Sequence, residues 1–118
     1  MKKLLAIFAA LLFVAAPARA DTFMAAFEEI PLLSGLTEEP PLSFDTDAVR
    51  IIEEFVHGPI SAAEFVRFYK ATLAQLGWEL KSESDSRLLF RRDDEALEIR
   101  VRSRDPFVAS FTLSPWGK

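Results

Sequence analysis

The sequence predicts an α+β fold: a two-layer domain in which one amphipathic helix packs on an antiparallel sheet of about five strands, in the order β-α-β-β-β-β. Three features predict it. Residues 62–76 carry an apolar stripe at helical spacing between a start and a stop signal. After Gly77 the apolar period changes from 3.6 to 2. The links between the alternating runs are short and polar, which suits hairpins and therefore antiparallel neighbours.

Residues 1–20 come first and read as a secretory signal peptide. Lys2 and Lys3 precede an uncharged apolar run from Leu4 to Ala16, and Ala18-Arg19-Ala20 supplies the small residues a signal peptidase selects before Asp21. A run of this length falls short of the roughly 20 residues that a membrane-spanning helix needs. No cysteine is present for lipid attachment. The expected location is therefore periplasmic, or secreted, after cleavage near Ala20, with no stable membrane span once the leader is gone.

The leader holds three of the 14 basic residues and none of the 18 acidic ones, so 11 remain against 18 and the exported chain carries a net charge of −7. That balance argues against nucleic acid as a partner. It is also uneven: residues 21–54 hold nine acids against Arg50 alone, while residues 84–118 hold six acids and seven bases. Without cysteine, stability must come from packing, and nine phenylalanines with Tyr69, Trp78 and Trp116 supply the apolar area for it.

Residues 21–47 read as an irregular arm that is both acidic and apolar, because Pro31, Gly35, Pro40 and Pro41 interrupt it. Phe23, Phe27, Ile30 and Leu33 recur at near-helical spacing within it, and Asp21 or Thr22 is placed to cap a short turn. Two uses of these side chains fit: covering the chain's own core, or docking on a partner. The α+β domain then occupies residues 48–118. Residues 49–56 are rich in β-branched and aromatic side chains and read as a strand, in which the adjacent Ile51 and Ile52 require either a bulge or apolar contact on both faces.

The helix opens at Ser61, which forms a capping box with Glu64, and closes at Gly77. Ala62, Phe65, Val66, Tyr69, Leu73 and Leu76 make its stripe. Four strands follow, centred on Trp78 and Leu80, on Leu88 and Phe90, on Leu97, Ile99 and Val101, and on Phe107, Ala109, Phe111 and Leu113. A one-sided sheet and a one-sided helix bury their faces against each other most economically in two layers.

The run Phe68-Tyr69, Leu73 and Gly77-Trp78 resembles a pattern recurrent in small, largely uncharacterised secreted bacterial domains, where a helix carrying Phe-Tyr and a Leu four residues on is closed by Gly-Trp. The lead-in Ile30-Pro31-Leu32-Leu33-Ser34-Gly35-Leu36 is similar to the one found there, so the likeness spans about residues 28–115. It implies an α+β fold and carries over no catalytic residue.

Residue chemistry points the same way. His57 is the single histidine, and a nucleophilic site would need it beside a serine such as Ser61 and an acid such as Glu54, with no Gly-x-Ser-x-Gly elbow in the chain. Asp45 and Asp47 start like a calcium loop that fails at Val49 and Arg50, and Asp93-Asp94-Glu95 reads as a solvated turn. No catalytic, cofactor-binding or metal residue is assigned. Above background stands one surface pattern: Arg87, Arg91, Arg100 and Arg102 are expected on the outward face of the meander, where guanidinium groups suit a carboxylate or phosphate, form cross-strand pairs with glutamates on a solvated face, or receive the chain's own acidic arm. The sequence therefore points to a non-enzymatic binding or accessory module that engages an envelope protein or an anionic envelope component. Its alternative is a small carboxylate-dependent hydrolase.

Overall fold

A computed structural model describes residues 22–46 and 49–117. The leader read over residues 1–20, with its cleavage site near Ala20, lies outside the described residues, as do Asp21 and Asp47. The arm is more regular than its prolines suggest. Strands β1 (Thr22–Phe23) and β2 (Pro31–Leu32) form a small antiparallel ribbon, and β3 (Thr37–Glu38) and β4 (Leu42–Asp45) both pair with β5 (Arg50–Gly58). The main sheet therefore has seven strands rather than about five. Pro40 and Pro41 explain the difference: without backbone donors they cannot join the ladder, so they divide one long edge into two short strands instead of abolishing it.

Helix α1 (Ala62–Gln75) starts where Ser61 accepts the Glu64 N–H at 3.0 Å. It ends where Gly77 takes φ +93°, with Trp78 N–H donating to the Leu73 carbonyl at 2.9 Å and Gly77 N–H to that of Ala74 at 3.2 Å. A side chain at Gly77 would be strained in that left-handed conformation, which is why the Gly-Trp pair closes the helix. Strands β6 (Glu79–Ser84), β7 (Arg87–Arg92), β8 (Glu95–Arg104) and β9 (Phe107–Pro115) follow as successive hairpins, and β9 returns to pair with β5. The ladder is antiparallel throughout, in the order β3 and β4, β5, β9, β8, β7, β6.

Alternation sends one side of each strand against α1. Phe65, Tyr69 and Leu73 from the helix meet Ile52, Val56, Phe90, Leu97, Ile99, Phe107 and Phe111 from the sheet, all buried. Phe111 is the junction, its ring lying 5.9 Å from Phe65, 5.1 Å from Tyr69 and 6.5 Å from Phe27 of the arm. Ile51 and Ile52 need no bulge, since Ile52 faces the core and Ile51 lies opposite Phe44 on the outer face, away from α1. The arm fills the rest of the inner face with Met24, Phe27, Ile30, Leu32, Leu33 and Leu36.

The arm crosses the end of β5 at close range. A Cβ at position 58 would fall 2.1 Å from the Gly35 carbonyl oxygen, so backbone must move to admit it. Gly58→Ala is expected to lower stability by about 1–3 kcal/mol in urea unfolding. A loss below ~0.5 kcal/mol would show that the arm does not press on this strand.

Candidate functional site

The strongest departure from ordinary chemistry lies beneath the arm. Strand β5 points Ile52, Glu54 and Val56 to the core, so Glu54 has a carboxyl with no solvent exposure among apolar neighbours. Its Oε1 accepts the Ala26 N–H at 3.2 Å, and Oε2 has no hydrogen-bond partner. Glu38, on the adjacent β3, accepts the preceding arm amide, Ala25 N–H, at 2.6 Å. Burial first, then the neighbouring Glu38 carboxyl, push Glu54 up to about 8, against the opposing pull of the Ala26 amide. Among the described residues no cation pairs with either acid. At neutral pH the site therefore retains a proton.

Tyr69 holds the next stretch of arm. Its hydroxyl accepts the Leu33 N–H at 3.0 Å and donates to the Pro31 carbonyl at 2.8 Å. Burial pushes the phenol well above its ordinary range, keeping that donor proton in place. Arg92 adds a third tie, donating to Leu76 O at 3.1 Å and pairing with Glu29, while its guanidinium lies 4.5 Å over the Trp78 ring. Of the four side chains read as a docking arm, Phe27, Ile30 and Leu33 are thus in the chain's own core, and Phe23 alone stays outside, 59% exposed.

The four arginines read as a binding face do share the outer face, and each is already engaged. Arg87 and Arg100 lie opposite each other in the β7–β8 ladder, and Glu98 accepts from both. Burial acts to raise Glu98, but the bonds from Arg87 and Arg100 outweigh it and hold the carboxyl below its usual range. Arg102 donates to Ser110 Oγ at 2.9 Å, lies 3.5 Å from Glu53 and covers the Phe55 ring. Arg91 donates to the Asp93 carbonyl and stacks over Trp116. Face and charge are real, and two carboxylates, Glu98 and Glu53, compensate half of it.

His57 and Ser61 share a shallow groove with Arg104 and Asp105. They form no nucleophilic unit: the ring bonds Glu39 at 2.7 Å on the outer face, Ser61 Oγ caps α1, and Glu54 lies on the opposite side of the sheet. Among the described residues no group of three acidic or histidine side chains is placed to hold a metal. A second groove of about 600 Å³ runs between the arm turn at residues 26–30, the start of β5, the β7–β8 turn and the end of β9. The large exposed apolar side chains besides Phe23 gather at the free edge of the sheet: Leu42 at 52%, Phe44 at 59% and Val49 at 38%.

Sequence reasoning missed both the Glu38–Glu54 pair and this edge. The signal for Glu54 was its place between Ile52 and Val56 on the inward period of β5, where a charged residue needs an explanation. Family models, curated proteins and solved structures show no match to this chain.

The buried pair fixes the sign of the pH dependence. A carboxyl whose folded value exceeds its unfolded one keeps a proton that the unfolded chain releases, so stability is full below about 4.5 and is lost as the pH rises toward 8. Thermal unfolding should show Tm falling between pH 5 and pH 8.5, and Glu54→Gln should flatten that slope. A wild-type Tm that rises over this interval would contradict a proton held at this site.

Proposed function

We propose that the chain is a non-enzymatic binding or accessory module of the bacterial envelope, periplasmic or secreted, which engages another envelope protein through the free edge of its sheet. The supporting observation is the apolar pair Leu42 and Phe44. Both project from the outer face of β4, a strand whose far side has no neighbour in the sheet among the described residues. Natural sheets guard such edges with charge or cover, so an exposed Leu and Phe on an edge strand suit a surface that is covered in use. An extended partner segment that adds beside β4 would satisfy its unpaired backbone and bury both side chains.

Location rests on the leader sequence. No helix among the described residues is long and apolar enough to cross a membrane. A protein partner is favoured over an anionic envelope component because an anion at Arg87, Arg100 or Arg102 must first displace Glu98 or Glu53. The hydrolase alternative is disfavoured because the converging carboxyls, Glu38 and Glu54, lie beneath the arm, with Glu54 closed to solvent.

Replacing Leu42 and Phe44 together by Ser should leave the Tm close to that of the wild type, since both side chains are exposed. Crosslinking of the exported protein in native envelope extract should then recover a partner with the wild type and lose it with the variant. Identical recovery by the two proteins, whether of a partner or of none, would overturn the assignment.

A further inference from the structure

We infer that residues 22–30 form a proton-latched strap: they lie on the inner face of the sheet while the Glu38–Glu54 site holds a proton, and swing away more readily, with the rest of the fold intact, once it is lost. The strap is separate from the β4 edge and does not depend on a partner there.

The attachment of the arm changes character at Pro31. On the far side, Pro31 and Leu33 are bonded to the Tyr69 hydroxyl, and Gly35 packs closely on Gly58. On the near side the turn bonds to itself: Met24 N–H donates to Ile30 O at 2.9 Å, and Ile30 N–H to Phe27 O at 2.8 Å. Thr22 and Phe23 pair with β2 and add no tie to the main sheet. Among the described residues, the backbone of 24–30 reaches the main sheet at two points, Ala25 N–H on Glu38 and Ala26 N–H on Glu54. Buried Met24, Phe27 and Ile30 and the Glu29–Arg92 pair complete the attachment. Both backbone ties thus end on carboxyls of one site.

Glu54 is the member of that site that water does not reach. Its side chain has no exposure, and Oε2 has no hydrogen-bond partner. Each element packed on it brings little to balance a charge: β3 brings Glu38, α1 the neutral Tyr69 phenol, β9 the ring of Phe111 opposite it in the ladder, and the strap the Ala26 amide. Two ionised carboxylates here would repel each other, and the sealed one would lack hydration. Because the Ala26 amide lies on Oε1, lifting the strap is the smallest movement that admits water to Glu54. Once open, the carboxyl returns from about 8 toward its ordinary 4.5, so opening releases a proton. Between those two values each pH unit makes opening about tenfold easier, and above them the effect levels off.

Met24 reports the movement, because it is 1% exposed with the strap down. The test is oxidation of Met24 by dilute hydrogen peroxide in the full chain from pH 5 to pH 9, read by peptide mass mapping relative to free methionine in the same solution. The relative rate should climb about tenfold per pH unit and level off near 8. Low urea should change it little, since a local opening exposes little surface. Glu54→Gln, which keeps an acceptor for Ala26 without a titrating proton, should oxidise at a rate independent of pH. A wild-type rate that is flat or falls with pH, the same slope in Glu54→Gln, or a urea dependence as steep as that of global unfolding would each overturn the proposal.

Discussion

One phenol hydroxyl fastens this molecule together. Tyr69 accepts from Leu33 N–H and donates to Pro31 O, binding the centre of α1 to a segment 36 and 38 residues earlier in the chain. The bond from Leu33 is buried and the one to Pro31 partly so, and burial keeps the hydroxyl protonated. What Tyr69 fastens is a third side for the core. Met24, Phe27, Ile30, Leu33 and Leu36 are buried only while the arm lies on the inner face, and without them the sheet would present Ile52 and part of Phe111 to solvent. The groove and the buried Glu54 carboxyl both have the arm as a wall.

Charge follows the same plan. The acidic front half and the arginine-bearing back half meet within one chain: Glu29 with Arg92, Glu53 with Arg102. Glu38 and Glu54 are the exception, facing arm amides rather than cations. Pairing a buried acid with backbone donors works only while one proton remains in the site, since two adjacent carboxylates without a cation repel each other. That ties arm attachment to proton occupancy, whereas the Tyr69 bonds hold across the ordinary pH range.

The parts of the fold legible in the sequence were those set by local signals. Ser61, Glu64 and Gly77 bounded α1 to within a residue, and period-two patterning located β6 to β9. The resemblance built on Phe68-Tyr69, Leu73 and Gly77-Trp78 has a packing explanation here: Tyr69, Leu73 and Trp78 are buried, and Gly77 turns the chain. The illegible parts depend on contacts distant in sequence. Pro40 and Pro41 made β3 and β4 look like loop, although the nine-residue β5 offers an edge long enough for both. The groove draws on four segments that no local pattern links. The arginine face and its cross-strand pairing with glutamates were legible in the sequence, but the choice of Glu98 and Glu53 as partners depends on strand register.

An arm held to the helix by Tyr69 is tested most directly by residue-resolved amide hydrogen exchange on the wild type and Tyr69→Phe. The Tyr69 hydroxyl predicts that the Leu33 amide is protected in the wild type, and the Glu54 carboxyl, reached only while the arm is docked, predicts the same for Ala26. In the variant they should exchange much faster, while the amides of β8 and β9 keep their protection. Arm amides that exchange freely in the wild type, or that are equally protected in both proteins, would contradict it.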